Sequence, residues 1–304
     1  MTTIALATCA EFPNLDDEDR LLIPALAELG IAAEPQVWTD RSVDWSRFDA
    51  VVIRATWDYS DRHDDFLAWC EQVSADSMLL NRADLVRWNT DKRYLRELQS
   101  AGVPTVPTLF LEPGDAADAW HGEVIGEAPE LVVKPAVSCG SRDTMRYLVR
   151  ESTEQISDHV GRLLADDRVV MVQPYLEAVD TAGETALLYF DGAFSHAIRK
   201  GPQLALGVEG ERVEGLFVQE QIDPREPTAD ERAVGAQVLA AIPGDVPLYA
   251  RVDLIAGPDG APLLLELELT EPSLFLSFAD GAPARLADAI SSIGALVSSD
   301  EPVS

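Results

Sequence analysis

The chain has 304 residues, with 53 acidic against 23 basic side chains and a formal net charge of −30. Such an excess of carboxylates repels phosphate backbones and anionic lipid, so nucleic acid and membrane surfaces are excluded as expected partners. At 47% hydrophobic residues the chain is too apolar for disorder, and at this length it can bury roughly 75% of its unfolded surface in two or three units.

In chain order, residues 2–8 read as a buried strand. Asp16, Asp17 and Asp19 load the start of a helix that Gly30 stops. Strands are expected at 31–38 and 50–54, a helix at 61–73 and a short strand at 78–80, which together make a small α/β domain. A short helix over 89–100 carries Lys92, and 103–111 is extended around Pro104 and Pro107. Beyond a linker at 112–129, strands are expected at 131–134, 145–149 and 169–175. The loop 136–144 lies among them, and Ser152 and Gln155 have capping-box spacing before a helix to residue 165. Asp191-Gly192 marks one hairpin and Asp259-Gly260 a second. Helices over 228–241 and 283–297 complete the pattern.

No run approaches the ~20 apolar residues of a membrane-spanning helix. Residues 1–9 carry no basic residue ahead of their apolar run, so no signal peptide is expected. The cysteines, Cys9, Cys70 and Cys139, form no C-x-x-C pair. A disulfide framework or zinc site is not expected, and a reducing cytoplasm fits.

Only three of the 23 basic residues are lysines: Lys92, Lys134 and Lys200. Codon bias explains the scarcity but not which lysines remain. Where arginine is freely used, a retained lysine suits a site wanting a compact point charge, such as phosphate oxygens.

The second hairpin carries the clearest chemistry. With a two-residue turn at Asp259-Gly260, Asp253 faces Glu266 and Arg251 faces Glu268 on one side. Val252, Leu254, Leu265 and Leu267 fill the other. Opposed carboxylates repel, and oxygen ligands of this kind suit Mg2+; a solvated polar face balanced by Arg251 is the alternative.

Neither a G-x-x-x-x-G-K-[ST] loop nor a strand-linked G-x-G-x-x-G is present. Instead the order is Asn89-Thr90-Asp91-Lys92, Val132-Val133-Lys134-Pro135, Met171-Val172-Gln173-Pro174-Tyr175-Leu176-Glu177, then His196, Arg199 and Lys200, then the carboxylate hairpin. In that order, over about 89–275, the chain resembles the ATP-grasp ligases of the glutathione-synthetase-like branch. The resemblance implies an α/β and α+β protein, with an ATP-grasp fold behind a Rossmann-like N-terminal domain. It implies a substrate-side domain at 1–88, a small grasp subdomain at 89–175 and a large one at 176–304.

ATP would be the cofactor, with Lys92 and Lys134 on its phosphates under a loop containing Ser138, Gly140 and Ser141. Gln173, Pro174, Tyr175 and Leu176 would form the adenine hinge, with Glu177 or Asp180 near the ribose. Arg199 and Lys200 would hold the transferred and acyl phosphates, with Arg251 beside them as a third catalytic cation. Asp253, Glu266 and Glu268 would bind two Mg2+ ions. The family's second metal strand usually reads Glu-x-Asn; here it is Glu266-Leu267-Glu268, which leaves open which glutamate bridges, with Thr270 or Ser273 as alternative members of that shell. The loop 136–144 has a single glycine where the family is glycine-rich.

Thr8-Cys9-Ala10-Glu11-Phe12-Pro13-Asn14-Leu15-Asp16 and Ile53-Arg54-Ala55-Thr56-Trp57-Asp58-Tyr59 are more narrowly similar to the cyclo-ligases that close O-ureido-D-serine to D-cycloserine. An amino-acid-like substrate is therefore expected, activated as an acyl phosphate and captured by nitrogen. Intermolecular amino-acid or peptide ligation, or nucleotide binding without catalysis, are the other readings, and a homodimer is common in the family. Loops after parallel strands bind ligands in such sheets. Arg54, Thr56, Trp57, Asp58 and Tyr59 are thus substrate candidates, with Arg54 for a carboxylate and Asp58 for an amino group; the alternative packs Trp57 in the core and pairs Arg54 with an acid. His196 reads as a packed strand histidine, Cys139 as no nucleophile, and His63, His121 and His159 as surface residues.

Overall fold

The computed structural model describes residues 2–121, 125–202, 204–207 and 221–297; residues 122–124 of the expected linker lie outside them. Three sheets organise the chain. The first is parallel, in the order β2-β1-β3-β4, from β1 (Thr3–Thr8), β2 (Ala32–Val37), β3 (Ala50–Ile53) and β4 (Met78–Leu80). Helices α1 (Leu22–Glu28) and α2 (His63–Asp76) connect it. Its central strands are apolar on both faces because both are covered, as a parallel sheet requires.

Helices α3 (Ala83–Asn89) and α4 (Tyr94–Ser100) follow, with Lys92 in the turn between them. The single helix expected over 89–100 is thus two short ones. The four-stranded second sheet, β5-β8-β6-β7, contains β5 (Leu109–Leu111), β6 (Glu130–Pro135), β7 (Met145–Leu148) and β8 (Val170–Pro174), with α5 (Val149–Ala165) packed on it. Helix α5 starts ahead of Ser152, which stands inside it as a non-helical residue (φ −129°) rather than as its cap.

After α6 (Ala178–Ala182), the third sheet runs β11-β10-β9-β12-β13: β9 (Glu184–Phe190), β10 (Ala193–Lys200), β11 (Ile222–Pro224), β12 (Tyr249–Ala256) and β13 (Pro262–Glu268). Helix α7 (Ala229–Ala241) covers it, started by a complete capping box between Thr228 and Glu231. Asp191 and Gly192 take the left-handed conformations (φ 48° and 71°) that a two-residue hairpin turn demands.

Helix α8 (Ala282–Val297) returns to the first sheet: Leu286 and Ile290 share one core with Ile4, Leu6, Leu22 and Leu26. Asn81 ties the domains by polar contacts, donating to the Tyr249 and Leu269 carbonyls (3.0 and 2.7 Å) and accepting from Leu248 N–H (2.6 Å). Among the described residues, no helix is long and apolar enough to cross a membrane.

Candidate active site

The second and third sheets face each other across a cavity of about 420 Å3. Strand alternation puts Arg251 and Asp253 of β12 on its floor, opposite Glu268 and Glu266 of β13, in the register expected. The route to that register differs. Ala256 pairs with Pro262, so five residues lie between the strands, and a bulge after Asp253 restores the pairing. The bulge also turns Leu265 into the cavity rather than onto the apolar rear face.

All three lysines reach this cavity and all three are buried. Lys200 Nζ donates to Asp253 (2.6 Å) and lies 2.8 Å from Glu184. Lys92 Nζ donates to the Ser138 carbonyl (2.8 Å) and lies 3.2 Å from Glu266. Lys134 lies 3.9 Å from the same glutamate. Arg251 donates to Asp253 (2.9 and 3.0 Å), to Glu268 and to the Ser273 carbonyl (3.2 Å).

Charge is unevenly balanced within this cluster. Burial opposes ionisation throughout, but Arg251 and Lys200 hold Asp253 below the usual carboxylate range, and Lys92 and Lys134 do the same for Glu266. Lys92 is held up by Glu266, whereas burial pushes Lys134 down, and Lys92 and Lys200 add to that push. Burial raises Glu268 to about 8 against the pull of Arg251, with Asp253 and Glu266 adding repulsion. Burial thus outweighs the neighbouring anion at Lys134 and the neighbouring cation at Glu268.

At one end the cavity is apolar, with Val106, Leu176, Val179, Ile255 and Leu265, while Gln173, Pro174 and Tyr175 pass alongside. Gln173 is anchored by donating to Thr108 (2.8 Å). Ser138, Gly140 and Ser141 line the loop as expected. The glycine-poor loop reaches its shape with Gly140, Ser141 and Asp143 all at positive φ (63°, 57° and 53°). Asp143 is pinned by Arg162 (3.1 Å) and Arg168 (2.6 Å), and Arg142 pairs with Asp61 of the N-terminal domain.

Several expected site residues stand elsewhere. Arg199 projects from the opposite face of β10 to Lys200 and donates to the Ala182 carbonyl (2.7 Å), bracing the turn at Gly183. That turn runs so close over the strand that a Cβ on Gly183 would meet the Lys200 carbonyl at 2.4 Å. Glu177 and Asp180 do not line the cavity; Asp180 accepts from Tyr175 Oη (2.6 Å) and pairs with Arg146 (3.3 Å).

Of the substrate candidates, Trp57 and Tyr59 line the cavity, but Arg54, Thr56 and Asp58 do not. Arg54 is 1% exposed, paired with Asp19 (2.9 Å) and donating to the Pro272 carbonyl (2.7 Å). Asp58 accepts from Trp38 Nε1 (2.7 Å). Thr56 is buried beneath them, and Thr270 hydrogen-bonds Asn89 (3.3 Å).

His196 is a packed strand residue facing the Leu274 and Phe275 carbonyls (3.1 Å each). His159 is buried against Tyr147 Oη (3.0 Å) rather than on the surface, and burial lowers it to about 4. Burial and the neighbouring Glu271 keep the Cys139 thiol well above its ordinary value, so it is no thiolate nucleophile.

Two cavity carboxylates escaped the sequence reading, Glu184 and Glu271. The bulge between Phe194 and His196 moves Glu184 opposite Lys200, where unbroken pairing from the turn would place Gly183. Glu271 follows the last strand on an irregular segment that no periodicity flags.

Among the described residues, no three His, Cys, Asp or Glu side chains are grouped tightly enough to hold a metal ion as they stand, because each carboxylate leans on its own lysine or arginine. The all-oxygen donor set of Asp253, Glu266 and Glu268 nonetheless fits Mg2+.

Two sheets closing on a lysine- and carboxylate-lined cavity, behind a parallel-sheet domain, are the architecture of an ATP-grasp ligase. Residues 4–81 match the family model for the N-terminal domain of D-cycloserine synthetase DcsG. The cycloserine biosynthesis protein DcsG of Streptomyces lavendulae is 43% identical over 95% of this chain and 98% of its own. A crystal structure of D-cycloserine synthetase DcsG superimposes with a TM-score of 0.87 at 42% identity, covering 96% of this chain and 99% of that one. The chain belongs to the DcsG family of ATP-grasp ligases. Two more distant structures share the fold: the D-alanine–D-alanine ligase of Bacillus anthracis complexed with ATP (TM-score 0.62, 18% identity, 99% of this chain and 100% of that one) and the ATP-grasp ligase PsnB with minimal precursor, Mg and ADP (0.61, 18%, 96% and 97%).

Proposed function

We propose that the protein closes O-ureido-D-serine to D-cycloserine at the expense of ATP. The observation that carries this is a DcsG-family cavity in which three buried lysines and Arg251 stand beside Asp253, Glu266 and Glu268, cations for phosphate oxygens and carboxylate oxygens for magnesium. Lys92, Lys134 and Lys200 would hold the phosphates, and Asp253, Glu266 and Glu268 the magnesium. Val106, Leu176, Ile255 and Leu265 would receive the adenine.

Bound there, magnesium and ATP would supply the phosphoryl group that activates the substrate carboxylate; the ureido nitrogen joined to oxygen then forms the ring amide as the bond from the acyl carbon to phosphate breaks and phosphate leaves, and the carbamoyl group on that nitrogen is lost to water as carbamate. Arg251 and Lys200, held by Asp253, would neutralise the charge that builds on the transferred group without reorganising. The loop 138–141 covers the cavity and excludes water from an intermediate that water would destroy. No side chain is needed as a covalent nucleophile. We further take residues 1–88, 89–175 and 176–304 as the substrate-side domain and the two grasp subdomains.

The test is incubation with ATP, Mg2+ and O-ureido-D-serine, reading ADP release and ring formation together. Both are expected. ADP release only with a pair of amino acids would assign intermolecular ligation instead.

A further inference from the structure

Of the cavity carboxylates, Asp253, Glu266, Glu268 and Glu184 each have a lysine or arginine partner, and Glu271 differs. It is 8% exposed, lines the cavity and makes no ion pair within 4 Å among the described residues. The Cys139 thiol is its side-chain hydrogen-bond donor. Its main chain is held firmly: the Glu271 carbonyl accepts from Trp57 Nε1 (3.1 Å), and the next carbonyl, of Pro272, accepts from Arg54 (2.7 Å). The N-terminal domain thus fixes the position of a buried carboxyl that has no ion-pair partner within 4 Å among the described residues.

We propose that Glu271 is the specificity-determining residue that pairs with the ammonium group of the substrate. The inference rests on the reading that the substrate is an amino acid. Such a ligand brings a cation into a closed site, where an unpaired charge is costly, so a complementary anion must already be in place. Asp58, the sequence candidate for that task, is spent on Trp38 outside the cavity. Glu271 lines the cavity together with Trp57, whose indole donates to its carbonyl, and is not part of the apolar cluster of Val106, Val179 and Ile255. Burial raises its carboxyl to about 7 against the pull of the Cys139 thiol and Lys92.

The test compares O-ureido-D-serine with its des-amino analogue, 3-(ureidooxy)propanoic acid. Binding to the full chain is measured calorimetrically with Mg2+ and a non-hydrolysable ATP analogue. The wild-type protein is expected to prefer the amino form by about 10–100-fold. Glu271→Gln should abolish that preference while binding the ATP analogue normally, and Glu271→Asp should retain part of it. An unchanged preference in Glu271→Gln overturns the inference, as does a wild type that binds both forms alike. Wild-type protein that releases no ADP with the ureido acid overturns the proposed function instead. Glu271→Gln is then compared on whichever amino acid of a panel does release ADP, where an unchanged KM again overturns the inference.

Discussion

Two buried arginine–carboxylate arrangements stand a short way apart and behave differently. Outside the cavity, Arg54 spends its guanidinium on Asp19 and on the Ile53 and Pro272 carbonyls. Inside, Arg251 shares Asp253 with Lys200 and also contacts Glu268, which burial still raises to about 8. The first is a rivet: its cation is consumed by fixed protein atoms. The second is a set of charges close to balance, which bound charge can redistribute. Burial and opposite sign are common to both, so neither marks a site; unspent charge facing a cavity does.

The largest effect that would break this contrast is expected from Asp253→Asn. Losing the carboxylate that orders Lys200 and Arg251 should lower kcat/KM on the order of 10^3-fold, equivalent to about 4 kcal/mol. The thermal midpoint should change little, because Glu184 and Glu268 remain to pair with the two cations. A large loss of stability with retained turnover would make this cluster a rivet too.

Arg54→Leu should do the reverse, destabilising the fold by about 3 kcal/mol through the stranded Asp19 while the KM for ATP stays unchanged in the folded fraction. Denaturant unfolding alongside initial-rate kinetics separates the two. Lys92→Met is expected to raise the KM for ATP by about 10–100-fold with a smaller effect on unfolding. The smallest effect belongs to His159, far from both clusters. Its neutral form is favoured in the fold, so it contributes stability that is full above about pH 6.5 and lost as pH falls toward about 4. His159→Leu should flatten that acid limb by about 1–2 kcal/mol, read from melting temperatures between pH 4 and 7.

Much of this was legible in the sequence because period and composition carry it. The apolar runs of β1 and β3, the Asp191-Gly192 turn and the three lysines all lead to the structure found. The pairing of Asp253 with Glu266 was legible partly through compensation: the turn is longer than the shortest reading, and a bulge takes up the difference. The corresponding bulge in β10 had no such counterweight, so Glu184 was missed. Arg54 and Asp58 were misplaced for another reason. A loop after a parallel strand is where ligands bind, but local sequence does not say which side chains on it face a pocket and which meet a distant partner such as Asp19 or Trp38. Glu271 depends on contacts from residues more than 200 positions away, which spacing cannot reveal.

The last helix has a consequence for how the protein could be recombined. Because α8 completes the hydrophobic interior of the opening sheet, that unit draws on residues 282–297 as well as on residues 3–80. A graft of only the leading portion from a relative would set Leu286 and Ile290 against a foreign helix. Exchange of this unit between relatives must therefore move two separated pieces of sequence at once.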